Sequence, residues 1–213
     1  MIVLDCNDRS LRASHVARAA TAVRRGEVVI VPTESSYAIA ADAFNPAGTT
    51  ALRSLKGIGS HVPLAVMVPS AFTVHGLASS VSPAATDLMT AFWPGLLTLL
   101  LPAQPTLAWD HPRGAPVAVR MPLHPLLLQL LSEIGPMAVT TANSAGMQAP
   151  LTVDEAQAQL GPGVSVALDA GALEEAETST IVDLTGTAPL MRRPGAVTLD
   201  DIRSVCPDAA DGS

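Results

Sequence analysis

One α/β domain built around a large sheet is what this sequence predicts, and three observations carry the prediction. Segments of helical periodicity alternate with short apolar runs rich in β-branched residues along the whole chain. No repeat, low-complexity tract or linker interrupts that alternation. The length of 213 residues suits a single domain, at roughly 100–200 residues each. With 48% hydrophobic and 15% charged residues the chain can bury a sizeable core, which excludes disorder as its main state. The domain is expected over residues 1–206, with 207–213 a frayed tail. Strand order cannot be read from the pattern.

The elements follow in order. An Ala-rich helical stretch runs over 10–25, with Ser10 as its N-cap and Gly26 just past its end. Val28 to Val31 is a buried-strand signal closed by Pro32, and Tyr37 to Ala43 is a second extended segment. Asn45-Pro46 opens a helix that stops near Gly57. Leu64 to Val68 is a strand, and Ser82-Pro83 caps a helix to Phe92. Leu97 to Leu101 and Val117 to Met121 are strands. His124 to Ile134 is a helix ended by Gly135-Pro136, before a strand from Met137 to Thr141. Thr152 and Glu155 have capping-box spacing at the head of a helix to Leu160. Strands at Val164 to Leu168 and Thr180 to Leu184 and a helix from Thr198 to Val205 complete the series.

Charge and composition exclude several classes. The net charge is −7, so the chain has no general attraction for nucleic acid or anionic membrane. No apolar run approaches the roughly 18–20 residues that span a bilayer, and the N-terminus lacks a signal-peptide pattern. A cytoplasmic location is expected. Cys6 and Cys206 have no metal-site spacing and read as small apolar residues. Histidines 15, 61, 75, 111 and 124 show no ligand spacing, so no protein metal site is expected. Of twelve basic residues eleven are Arg, and Lys56 alone is Lys. A codon bias explains the missing lysines but not the survivor, whose compact ammonium differs chemically from a guanidinium fork.

Polar clusters interrupt the apolar pattern at strand ends: 32–37 (PTESSY), 56–59 (KGIG), Arg120, 140–146 (TTANSAG), Ser179-Thr180 and 193–195 (RPG). Loops beyond strand ends carry ligand sites in α/β proteins. Hydroxyls, an amide and glycines suit a polar ligand bearing phosphates. Each cluster also reads as a turn or helix cap when taken alone. Arg120 lies inside an apolar strand pattern and must be paired. Its partner is either an acidic residue, such as Glu34, Asp42 or Asp169, or a ligand carboxylate or phosphate. A P-loop, a G-x-G-x-x-G fingerprint and a supported Ser-His-Asp arrangement are all missing from the sequence.

Taken in order, the segments GEVVIVPTESSYAIAADAF, ALRSLKGIGSHVPLAVMV, AFWPGLLTLLL, VAVRMPLHP, MAVTTANSAG, STIVDLT and MRRPGAV resemble the YrdC-like family of threonylcarbamoyl-AMP synthases. The resemblance runs from about Arg24 to about Ile202 and implies the short, single-domain form. It implies a twisted mixed parallel and antiparallel sheet flanked by helices, with one open concave face. It also implies an enzyme, a nucleotidyltransferase, that makes L-threonylcarbamoyl-adenylate and pyrophosphate from L-threonine, bicarbonate and ATP. Mg2+ would accompany ATP, and a partner transferase would pass the threonylcarbamoyl group to adenosine in tRNA, making threonylcarbamoyladenosine. By the same resemblance, Lys56 would hold phosphate or carbamate oxygens. Ser35, Arg120 and Ser179 would contact threonine, with Arg120 on its carboxylate. Thr141, Asn143 and Arg193 would face ATP.

Three departures stand inside these motifs. Ile58 replaces the arginine of the family's Lys-Gly-Arg, Ala38 replaces a glycine, and Thr141 replaces a serine. Arg53, one turn before Lys56, is a candidate replacement for the missing cation. The alternatives are a divergent paralogue that binds a nucleotide or carbamoylated ligand without synthase activity, and an RNA-binding module. The net charge of −7 speaks against the latter.

Overall fold

The computed structural model describes residues 1–174 and 177–212. The chain opens with β1 (Ile2–Asp5), α1 (Arg12–Arg24), β2 (Val29–Pro32), β3 (Tyr37–Asp42) and α2 (Pro46–Lys56). Next come β4 (Ala65–Met67), α3 (Val74–Leu77), α4 (Pro83–Phe92), β5 (Leu97–Pro102) and β6 (Pro116–Arg120). The second half holds α5 (Pro125–Ile134), β7 (Met137–Thr141), α6 (Val153–Leu160), β8 (Val166–Asp169), β9 (Thr180–Asp183), β10 (Leu190–Arg193), α7 (Leu199–Val205) and β11 (Ala210–Asp211).

The eleven strands among the described residues join one sheet in the order β1-β8-β2-β3-β7-β4-β6-β5-β9-β10-β11. It is mixed: β1-β8, β8-β2, β4-β6, β5-β9 and β10-β11 are parallel, and the other neighbours are antiparallel. Side-chain alternation sends successive strand residues to opposite faces. On one face Ile30, Ile39, Val66, Leu97, Leu99, Val119 and Val182 pack into a core with Leu52 of α2, Leu88 of α4 and Ile202 of α7. On the other face Val29, Val31, Ala40, Met67 and Val139 pack under Val16, Val23, Leu127 and Leu130 of α1 and α5.

This second core stops at β4. Beyond it, Thr98, Leu100, Ala118 and Arg120, which alternate with residues of the first core, belong to neither cluster. Half of the sheet therefore has one face without a helical cover, the open face the resemblance implies. A purely parallel sheet would be covered on both sides, whereas a mixed sheet tolerates such a bare face.

Helix ends show the local chemistry. Asn45 caps α2, accepting from the Ala47 N–H at 3.0 Å, with Pro46 in the first turn. Its last turn closes as a Schellman motif: Ile58 N–H donates to the Arg53 carbonyl at 3.0 Å and Gly57 N–H to the Ser54 carbonyl at 3.3 Å. Gly57 takes the left-handed conformation there, at φ +62°. Two capping expectations are corrected. Ser10 does not cap α1, because its N–H and hydroxyl both go to Asp8; Leu11 holds the cap position and makes no side-chain cap. Thr152 caps α6 through the Glu155 N–H, but Glu155 returns its carboxylate to the Leu151 N–H at 2.7 Å, one residue before the reciprocal position. The complete capping box is at Thr198 and Asp201.

Three strands were not foreseen. β1 is an edge strand with only Leu4 buried, so no alternation marks it. β10 ends in two arginines, and its segment reads as a motif-bearing turn. The frayed tail expected over 207–213 is corrected by β11, which pairs in parallel with β10; Ser213 lies outside the described residues.

The Gly57→Ala variant forces a Cβ into the left-handed region and should lose about 1–2 kcal/mol. A thermal melt checks this, with a fall in midpoint of a few degrees expected.

Candidate active site

The seven residues singled out in the sequence form two groups joined by a loop. The first group lies on the bare face. Arg120 ends β6, and its guanidinium forms an ion pair with Glu34. Its Nε donates to the Gly95 carbonyl at 2.9 Å. The side chains of Arg120 and Glu34 are 9% and 15% exposed, so this is a buried pair. Glu34 Oε1 also accepts the Leu123 N–H at 3.1 Å. Of the two partner classes open to Arg120 in the sequence, the protein itself supplies one.

Arg193 ends β10. Its Nη2 donates to the Ser179 carbonyl at 2.6 Å and to Ser179 Oγ at 2.9 Å. Ser179 Oγ lies 3.0 Å from Thr98 Oγ1 on the adjacent strand. Burial, and then the charge of Arg120, hold the Arg193 guanidinium below its ordinary pKa. Two cations thus lie within electrostatic reach of each other. Gly195 makes this docking possible: a Cβ there would lie 2.3 Å from the Thr178 carbonyl and 2.7 Å from the Thr180 nitrogen. The Thr180 hydroxyl completes the seam, donating to the Val197 carbonyl at 2.6 Å.

The second group is at the end of β7. Lys56, the last residue of α2, donates from Nζ to Asn143 Oδ1 at 2.7 Å and to the Asn143 carbonyl. Burial lowers the Lys56 pKa. Asn143 Nδ2 donates to the Met147 carbonyl, and Ser144 is tied to Gln159 by backbone and side chain. Thr141 pairs with Ala38 across the β3–β7 ladder, two residues before Asn143. The joining loop carries Ser35, whose Oγ is 3.3 Å from Thr33 Oγ1, beside Glu34. No hydrogen bond or ion pair among the described residues links the Lys56 group directly to the Arg120 group.

The expected strand ends hold these residues, but the ends do not lie level with one another. β6 runs parallel to β4, and β4 runs antiparallel to β7, with Met67 opposite both Arg120 and Met137. Arg120 therefore lies level with the start of β7, whereas Thr141 and Asn143 lie at its finish. The site is laid across the sheet, and Glu34 reaches over it to Arg120.

The departures resolve physically. Arg53 is not a spare cation: its Nε pairs with Asp110 at 2.7 Å, and its Nη1 donates to the carbonyls of Gly59 and Val62, both at 2.8 Å. It is a clamp for the loop after Lys56. Ile58 packs against the first core as the apolar residue that a Schellman motif commonly carries past the helix end. Ala38 lies in an ordinary strand, and no described non-glycine residue has positive φ, so its methyl is unstrained. Sequence reasoning missed Gly95 and Thr98, and took Glu34 only as a partner for Arg120. Thr98 had a signal, as a lone hydroxyl in the apolar run LTLLL.

A cavity of about 860 Å3 lies elsewhere, lined by Pro102, Gln104, Trp109, His111 and Arg113. A smaller one of about 410 Å3 lies against Arg53, Gly57, Ile58 and Asp110, next to Lys56. No group of three or more His, Cys, Asp or Glu among the described residues could hold a metal ion. No helix among them is long and apolar enough to cross a membrane.

The Sua5/YciO/YrdC family model, described as telomere recombination, matches residues 21–195. The chain is 44% identical over 202 residues to a protein of Mycobacterium tuberculosis named putative threonylcarbamoyl-AMP synthase, covering 94% of this chain and 93% of that one. It is 33% identical to the threonylcarbamoyl-AMP synthase of Bacillus subtilis, covering 93% of this chain and 58% of that longer protein. Among solved structures, P. abyssi Sua5 complexed with L-threonine matches with a TM-score of 0.89 at 28% identity, covering 99% of this chain and 62% of the other. The protein thus belongs to the Sua5/YciO/YrdC family.

Two outcomes follow. Arg120→Met leaves Glu34 buried without its cation and should cost about 3–5 kcal/mol, read by denaturant unfolding. His124, beside Glu34, has its pKa held below the ordinary 6.5 chiefly by burial, with Glu34 opposing and Arg12 adding. Because the unfolded chain takes up this proton first, stability should fall as pH drops through 6.5 toward the folded value. A His124→Asn variant should show a shallower fall over the same range.

Proposed function

We propose that the protein is a threonylcarbamoyl-AMP synthase acting as a nucleotidyltransferase on L-threonine, bicarbonate and ATP. The observation that carries this is the gathering of Arg120, Arg193 and Ser179 on the bare face, together with the Lys56–Asn143 pair past the end of β7. The relatives' shared name and the threonine held by P. abyssi Sua5 support it.

In this reading the threonine ammonium first gives a proton to solvent; the free amine then attacks the bicarbonate carbon, and hydroxide leaves with a second amine proton as water, giving a carbamate. A carbamate oxygen then attacks the α-phosphorus, the bond to the β-phosphate's bridging oxygen breaks, and pyrophosphate departs. Both reacting partners are anions, so cation placement and alignment dominate the catalysis. Arg120 holds the threonine carboxylate, and Ser35 and Ser179 fix its polar groups. Arg193 and Asn143, with Thr141, face the nucleotide. Lys56 exchanges Asn143 for phosphate or carbamate oxygens, and its lowered pKa reflects the few waters it would have to shed. Mg2+ would come with ATP and would neutralise phosphate charge; no group of three or more acidic or metal-ligating side chains among the described residues could hold it apart from the nucleotide. The product is handed to a partner transferase acting on tRNA.

Ile58 favours a second reading, a paralogue that binds these ligands without turnover, since an apolar side chain cannot donate to phosphate. Pyrophosphate release decides between the two. With threonine, bicarbonate, Mg2+ and ATP, release should depend on threonine, and Lys56→Met should lower it at least about 100-fold, as for loss of an oxyanion donor. No threonine-dependent release at high enzyme concentration overturns the synthase.

A further inference from the structure

Three buried polar atoms at this site have no hydrogen-bond partner: Glu34 Oε2, His124 Nδ1 and Arg120 Nη2, the last meeting Glu34 Oε1 as an ion pair alone. Buried polar groups are normally satisfied, so each orphan needs a reason. The three belong to one cluster. Glu34 Oε1 bonds the Leu123 N–H, one residue before His124, and His124 feels the Glu34 charge. His124 also stands at the N-cap of α5 without capping it, so local helix chemistry does not account for its placement.

The Glu34 carboxylate is also a puzzle for ligand binding. A pocket meant only for an anion would leave Arg120 free, whereas here a carboxylate competes for it. An α-amino acid removes the conflict, because it carries a carboxylate and an ammonium on one carbon. A guanidinium adjoining a carboxylate with a spare oxygen is the complement of that zwitterion. The ammonium brings three N–H donors, and the orphans offer two acceptors, His124 serving with its proton on Nε2.

We propose that Glu34 reads the amine of the substrate: Oε2 accepts an ammonium N–H while Arg120 holds the carboxylate of the same molecule, and His124 Nδ1 accepts a second. Glu34 is then a specificity-determining residue that selects α-amino acids over other small carboxylates. This rests on the synthase reading, since it takes threonine as the ligand of Arg120.

The test compares threonine with 3-hydroxybutyrate, which keeps the carboxylate and hydroxyl and lacks only the amine. Titration calorimetry on the full chain should show threonine binding at least about tenfold more tightly than 3-hydroxybutyrate, as a charge-assisted hydrogen bond requires. In Glu34→Gln, whose amide oxygen still accepts from Leu123, the two ligands should bind within about twofold of each other. That loss should fall on threonine alone, with MgATP affinity retained. Wild-type protein that binds both acids equally overturns the proposal without any variant, and so does a Glu34→Gln protein that keeps the full preference. Should the wild type bind MgATP but neither acid, the synthase reading falls with it, and that outcome is distinct from threonine binding without amine selection.

Discussion

A guanidinium cannot be left alone inside a protein, and the way Arg120 is satisfied organises the molecule around it. Its Nε is held by the Gly95 carbonyl, which orients the fork, and its charge is met by Glu34 from a loop at the far end of another strand pair. The contact spans β2, β3, β7, β4 and β6 in the sheet order, so it ties the β2–β3 loop to the edge of the bare face. Remove it, and the loop carrying Ser35 loses its anchor over the sheet. Arg193, held separately by Ser179, would then face an Arg120 charge that no carboxylate offsets. A buried pair of this kind contributes little net stability against an apolar replacement, and its value lies in the geometry it imposes.

The interior strands, β2 to β9, and most of the helices were legible because their signals are local. Asn45-Pro46, Ser82-Pro83 and Thr198 each carry a cap whose chemistry is complete within three or four residues. Ser10 failed for an equally local reason: Asp8 offers its hydroxyl and N–H a nearer partner than the helix does. The three missed strands share a different property. β1, β10 and β11 stand at or near the sheet edges, where one neighbour and a little exposure suffice, and no hydrophobic alternation is imposed on the sequence.

The site was legible in its members but not in its arrangement. Lys56 and Asn143 stand together, as do Arg193 and Ser179. Their spatial relation depends on β4 running against β7, a fact of strand pairing on which no motif bears. The residues do stand at strand ends, as expected, but in a mixed sheet those ends fall at opposite levels. Arg53 shows the other limit. Helical spacing placed it beside Lys56, but its true partners are Asp110 and two carbonyls of the loop that follows, and a tertiary pairing of that kind leaves no trace in spacing.

That clamp has a mechanical side. Through Arg53, the stretch from Gly59 to Val62 and the long β5–β6 connection bearing Asp110 are fastened to one helix end, the end that carries the lysine. Stress on a distant surface connection is thereby transmitted to the ammonium's position. Sequence changes around Asp110 would therefore bear on the Lys56–Asn143 contact while leaving both of those side chains unaltered.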